Sequence, residues 1–154
     1  MDAIGDVVMK KIIEVEFGSD KYNQLLELRL DVLHDSLSDE FIDGFSEGSC
    51  LHVACVDNIE DKVIGGYMLL PVDNNIIRIM QVVVDDKYRG QGIGKDLVAY
   101  AEKLAIKNNY KKIVMHARIS AVDFYTKLDY KMIGNVFEEK GISFLKMGKK
   151  FLKK

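Results

Sequence analysis

Residues 82–95 read Val82-Val83-Val84-Asp85-Asp86-Lys87-Tyr88-Arg89-Gly90-Gln91-Gly92-Ile93-Gly94-Lys95. An apolar run gives way to charged residues, and three alternating glycines lead into an apolar-periodic stretch. This is the pattern of a strand entering a helix through a glycine-rich turn. A helix start carries unpaired N–H groups and the positive end of the helix dipole. Alternating glycines let an anion reach those groups with no Cβ in the way. The spacing therefore points to a phosphate or pyrophosphate site. The bare alternative is a tight turn without a ligand, but a turn alone does not need three alternating glycines.

Two owners of such a turn fit poorly. A P-loop needs Gly, four residues, then Gly-Lys-Ser/Thr. Here three residues separate Gly90 from Gly94, and Lys95 is followed by Asp96, so the hydroxyl that would hold magnesium is missing. A dinucleotide fingerprint needs Gly-x-Gly-x-x-Gly after the first strand of a fold. Lys95 stands where its third glycine belongs, and the turn comes mid-chain. Metal chemistry is not indicated: three scattered histidines and two cysteines lack ligand spacings.

The flanking elements must position this turn. Residues 12–17 read as a first strand, followed by a capping turn at Gly18-Ser19-Asp20. Tyr22, Leu25, Leu26, Leu28, Arg29, Val32 and Leu33 then recur with helical period. A short second helix is expected near 39–45. Residues 50–56, 63–72 and 76–84 read as three strands of an antiparallel meander, with Asp73-Asn74-Asn75 as a hairpin turn. Residues 92–107 form an amphipathic helix, closed by Asn108-Asn109 in a left-handed cap. A short strand at 112–117, a short helix at 120–128, and strands at 130–137 and 142–147 complete the chain. The strand–helix–strand unit from Ile76 to His116 predicts a parallel pair with a helical crossover.

The chain has 154 residues, 48% hydrophobic and 30% charged, which fits a single domain with a sizeable core. A net charge of −2 gives no nucleic-acid footprint. Cys50 and Cys55 fall on opposite faces of one strand, which argues against a disulfide and for a reduced, cytoplasmic setting. The N-terminus lacks a signal-peptide layout, and no apolar run is long enough to span a bilayer, so no membrane partner is expected. The basic tail, Lys149 to Lys154, reads as a solvated end.

Arg89-x-x-Gly92-x-Gly94 after a valine-rich strand resembles the acetyl-CoA signature of the GNAT superfamily of N-acetyltransferases. The downstream run Ala121-Val122-Asp123-Phe124-Tyr125-Thr126-Lys127-Leu128-Asp129-Tyr130 resembles its second motif, with Asp129-Tyr130 in place of the usual Gly-Phe. The resemblance covers residue 76 to the end well and is looser before it. It implies a mixed, twisted α/β sheet of about seven strands flanked by about four helices, with the central parallel strands splayed apart. The whole chain, 1–154, would form one such domain.

The resemblance also implies roles. Backbone N–H groups from Arg89 through Gly90, Gln91, Gly92, Ile93, Gly94 and Lys95 would hold the pyrophosphate of acetyl-CoA, the co-substrate. The main chain of Val82, Val83 and Val84 would pair with the pantetheine arm as an added strand does. A backbone N–H near Val82 would donate to the thioester oxygen. Tyr125 would protonate the leaving thiolate, since a phenol keeps its proton at neutral pH; core packing is its alternative role. No base is assigned. Arg78 occupies the place of a strand glutamate used by some relatives and cannot act as one. Glu27, Asp31, His34, His52 and His116 are candidates without motif support, and a water relay is equally open.

The expected reaction is acetyl transfer to a primary amine of a small molecule, in a ternary complex. The acceptor would lie between the first two helices and residues 137–142. The acidic residues Asp35, Asp39, Glu40, Asp43 and Glu47 would favour a cationic acceptor. The rival functions are a CoA-binding sensor without catalysis and a protein or peptide acetyltransferase. Superfamily members are often dimers, so a homodimer is an assembly that the resemblance allows, although the sequence carries no interface signature.

Overall fold

The computed structural model describes residues 9–33, 47–139 and 141–151. The elements run β1 (Lys10–Val15), α1 (Asp20–Leu33), β2 (Leu51–Asp57), β3 (Lys62–Pro71), β4 (Ile76–Val84), α2 (Ile93–Lys107), β5 (Lys112–Arg118), α3 (Val122–Thr126), β6 (Lys131–Met132), β7 (Phe137–Glu139) and β8 (Ile142–Lys150). Eight strands and three α-helices are thus present among the described residues. The helix expected near 39–45 lies outside them. The stretch 130–137, read as one strand, is divided: Gly134 takes φ 77° between β6 and β7, and the second piece extends to Glu139.

The strands form one sheet in the order β1-β2-β3-β4-β5-β8-β6, with β7 also paired to β8. β1 to β4 are antiparallel neighbours, as the meander requires. β4 and β5 are parallel, joined by the α2 crossover. β5, β6 and β7 each run antiparallel to β8.

Local chemistry sets the boundaries. The Ser19 hydroxyl accepts from the Tyr22 N–H and caps α1. Asp73 Oδ1 accepts from the N–H groups of Asn75 and Ile76 and shapes the β3–β4 hairpin. At the end of α2 the Asn108 side chain donates to the Leu104 carbonyl, and Asn109 takes the left-handed conformation.

Each sheet face packs a helix. On one side Leu97, Val98, Ala101, Leu104 and Ala105 of α2 join Ile77, Ile79, Met115 and Leu145 in the main core. On the other, Leu25 of α1 packs with Ala54, Val56, Val63 and Val83. Both contacts close over a glycine pair in β3. A Cβ on Gly65 would lie 2.9 Å from the Val83 carbonyl oxygen and 3.3 Å from Leu97. One on Gly66 would strike the Val53 carbonyl and Leu25. The two small residues let both helices settle beside the end of β4. Cys55 lies in the α2-side core and Cys50 packs with Met68 and Met80, so no disulfide joins them.

Candidate functional site

The site begins where β4 and β5 part. They pair at Ile76↔Lys112, Ile77↔Ile113 and Arg78↔Val114 and no further. Beyond that point β5 stays with β8 as far as Arg118↔Phe144, while β4 stays with β3 as far as Gly65↔Val84. The parted strands leave a cleft between their C-terminal halves.

A bulge shapes the β4 side of it. The β3–β4 register jumps from Met68↔Met80 to Gly66↔Val83, leaving Gln81 and Val82 without register partners on β3. Gln81 takes φ 55°, a conformation that a non-glycine residue adopts at local cost. The bulge resets the alternation of side chains. Val82 and Val84 pack against the α2-side core and Val83 against the α1-side core. The shared face expected for Val82 and Val84 is present. Alternation alone gives that shared face, and the bulge decides that it is the α2-side one.

The glycine turn follows. Asp85 Oδ1 accepts from the Lys87 N–H and starts a 3-10 turn over Asp86–Tyr88. Tyr88 donates its hydroxyl to Asp57 Oδ2 at 2.9 Å and so ties this turn to the end of β2. Gly90 and Gly92 both have positive φ, at 81° and 79°, and a Cβ at either would meet no atom within 4 Å. The α2 start at Ile93 is therefore open to solvent on the glycine side, and no side chain caps it. Arg89 and Lys95 are exposed, and Arg89 Nε lies 2.9 Å from Asp86 Oδ1.

Val82, Val84, Gly90, Gly92, Gly94 and Lys95 face a cavity of about 430 Å³, together with Tyr125. Gln91 is exposed at the turn but does not line it. A second cavity of about 340 Å³ shares Val82, Val83, Val84, Arg89, Ala121 and Tyr125 with the first. The two are one cleft, with Tyr125 at the junction. Tyr125 is 6% exposed and edge-packed against Phe124 and Tyr130. Burial pushes its phenol up to about 12, so it is protonated throughout the neutral range.

The far end is lined by Gln81, His116, Arg118, Ser120 and Phe144. Of these only His116 was a candidate from sequence. Gln81 is buried at both amide atoms without a partner among the described residues. Its one sequence signal is a polar residue inside the apolar run Ile79–Val84; a bulge cannot be read from such a run. Arg118 and Ser120 follow directly from the strand that ends at the cleft. Phe144 comes from a strand far along the chain, and sequence gave no pointer to it.

The candidate bases do not converge here. Glu27 and Asp31 are exposed on α1 and line neither cavity. His52 is 1% exposed, with its ring 4.8 Å from Tyr22 and 6.0 Å from Phe17. His34, Asp35, Asp39, Glu40 and Asp43 lie outside the described residues. Arg78 Nη2 donates to His116 Nδ1 at 2.9 Å. Among the described residues no three His, Cys, Asp or Glu side chains could share a metal, and no helix is long and apolar enough to cross a membrane.

The family described as an acetyltransferase (GNAT) domain matches residues 21–151. The chain belongs to the GNAT acetyltransferase family. This GNAT chain is 35% identical over 98 residues to human N-acetyltransferase 8B, covering 58% of itself and 42% of that relative. It is 32% identical over 112 residues to the peptidyl-lysine N-acetyltransferase YjaB of Salmonella typhimurium, covering 68% of itself and 71% of that protein. It thus spans less than half of the human relative's length. Its fold is similar to that of a GNAT family acetyltransferase from Elizabethkingia anophelis solved with acetyl-CoA bound, with a TM-score of 0.72 and 21% identity over 92% of this chain and 98% of that one.

Proposed function

We propose that this GNAT chain transfers an acetyl group from acetyl-CoA to a primary amine by direct attack in a ternary complex. The observation that carries the reading is the single cleft running from the glycine turn, along Val82–Val84, to Tyr125 at its junction. The donor fits these residues. Gly90 and Gly92 leave the N–H groups at the start of α2 accessible to a diphosphate. Among the described residues, the main chain of β4 past Arg78 has no partner strand on its β5 side and can pair with an extended arm.

The chemistry then divides among few groups. An N–H at Val82, which the bulge leaves without a register partner, donates to the thioester oxygen. The amine nitrogen bonds to the carbonyl carbon as the carbon–sulfur bond breaks. Tyr125 gives its proton to the departing thiolate. The amine loses its proton to water, because no described residue lining the cleft is a carboxylate or a histidine with an available lone pair.

The test measures acetyl-CoA binding by calorimetry and CoA release with a panel of primary amines. Amine-dependent CoA release that falls in Tyr125→Phe supports the reading. Tight acetyl-CoA binding with no turnover on any amine favours the sensor alternative instead.

A further inference from the structure

We infer that Tyr130 is a positioning residue for Tyr125, and that Glu102 and Lys149 anchor Tyr130 for that task. The inference rests on the acetyl-transfer reading and extends its acid step to three residues that line neither part of the cleft.

The need for an anchor follows from the length of α3. The helix has five residues, and so short a helix has little rigidity of its own. The chain after it folds back onto Tyr125. The Tyr125 carbonyl accepts from the Leu128 N–H at 3.0 Å and from the Tyr130 N–H at 3.1 Å. Asp129, between these donors, takes φ 72°, the left-handed conformation that ends a helix. Asp129-Tyr130 therefore makes the backbone turn that the usual Gly-Phe would make. What it adds is a hydroxyl.

That hydroxyl reaches beyond the turn. Tyr130 is 2% exposed and donates to Glu102 Oε2 at 2.8 Å. Burial, and then the Glu102 carboxylate, push its phenol up, so it stays a donor throughout the neutral range. Glu102 lies on α2, whose first turn is the proposed diphosphate site. Lys149 of β8 donates to both Glu102 carboxylate oxygens, at 3.1 and 3.2 Å, and to the Leu128 carbonyl at 3.1 Å. Its ammonium also lies 5.6 Å from the centre of the Tyr130 ring. Lys149 and Glu102 are both largely shielded from solvent, so salt screens the pair less than a surface one. These bonds tie α2, β8 and the end of α3 together at one point.

The network bears on Tyr125 through the rings. Tyr130 meets Tyr125 edge-on at 5.8 Å, and Phe124 does so at 5.0 Å. An acid step depends on where the phenol points, and a misplacement of about 1 Å can cost about a hundredfold in rate. A phenylalanine at 130 would keep the ring contact and lose its anchor on Glu102.

The test measures CoA release by the full chain with a panel of primary amines and uses the amine of highest kcat. Tyr130→Phe should lower kcat about tenfold and leave KM for acetyl-CoA unchanged. In a Tyr125→Phe background the same substitution should lower kcat by less than about twofold, because the acid it positions is gone. A merely structural role gives losses that multiply. Glu102→Gln, which keeps an acceptor for the Tyr130 hydroxyl, should recover most of the rate lost in Glu102→Ala. Hydrogen exchange supplies a readout without turnover. The Leu128 and Tyr130 amides should exchange faster in Tyr130→Phe, while amides of β2 and β3 keep their wild-type rates. Multiplying losses, or a uniform rise in exchange, overturn the inference. Turnover that falls in Tyr125→Phe and stays intact in Tyr130→Phe overturns it alone and leaves the acid step standing. Turnover indifferent to Tyr125→Phe, or no turnover on any amine, overturns the acid step and its positioning residue together.

Discussion

Arg78 Nη2 and His116 Nδ1 lie 2.9 Å apart, and this pair removes the most attractive base from the site. Sequence placed His116 at the end of a strand beside the expected cleft, and the structure puts it there. Its one lone pair, however, is taken by a group that only donates. His116→Asn should therefore lower kcat by less than about tenfold, well short of the usual loss on removing a general base. The shape of the pH–rate profile should not change. Disappearance of the acid limb in this variant would show that His116 takes the amine proton after all.

In the proposed mechanism Tyr125 makes the opposite contribution, since its value there lies in the proton it keeps. Tyr125→Phe should reduce kcat by about a hundredfold, the usual loss on removing a general acid, with acetyl-CoA affinity unchanged. Burial raises its phenol to about 12, above the unfolded value near ~10. The acid is thus still loaded at pH 9 to 10, and the wild-type rate should show no alkaline limb from this group there. The same shift bears on stability. A neutral buried phenol stabilises the fold fully below pH ~10, and that contribution is lost as pH rises from there toward 12. Comparison of wild type and Tyr125→Phe in alkaline thermal melts checks the second point.

Gly92 separates backbone strain from ligand binding. Its φ of 79° disfavours any side chain, yet a Cβ there would clash with no atom. Gly92→Ala should cost about 1 to 2 kcal/mol of folding stability from the left-handed conformation alone. Gly92→Asp adds a negative charge beside the proposed diphosphate site and should weaken CoA binding by more than tenfold. Calorimetry and melting curves on both variants distinguish the two effects. Equal CoA affinity in folded Gly92→Asp would remove the diphosphate from this turn.

The Tyr88–Asp57 bond predicts an acid effect far from the chemistry. Burial pushes the Asp57 carboxyl up, but the Tyr88 hydroxyl and the N–H groups of Glu60 and Ile59 outweigh it and hold the pKa below 3.8. A carboxylate of lowered pKa stabilises the fold above its unfolded value and loses that contribution as pH falls through the folded one. Tyr88→Phe should therefore lower the melting temperature at pH 6 and flatten its decline as pH falls below about 4. It should also weaken acetyl-CoA binding, because the bond anchors the turn before Gly90. An unchanged acid decline would mean that the bond does not hold the turn.

Much of this site was legible because its parts are local. The glycine turn, the apolar face of α2 and the order of the strands each follow from spacing within about fifteen residues, and β4 matches its expected bounds at Ile76 and Val84. Gln81 escaped because a bulge is set by tertiary pairing: the Gly65-Gly66 pair, the packing of Leu25 and Leu97, and the jump in register act together. The surroundings of His116 escaped for a similar reason. Arg78, His116, Arg118 and Lys146 are spread over three strands, and only the parallel and antiparallel registers bring them onto one surface. Period-two reading assigns faces within a strand and is silent on which strands adjoin.

The parting of β4 and β5 has a mechanical side. Three register pairs join the half-sheet β1–β4 to the half formed by β5–β8, whereas β5 and β8 share seven. The molecule has a seam, closed at one end by those three pairs and clasped on one face by α2. A guest lying along Val82–Val84 and reaching Tyr125 touches both lips of it. Loading the donor would then act as a suture: the seam stiffens, amide hydrogens on either side exchange more slowly together, and the empty protein is the more supple of the two forms.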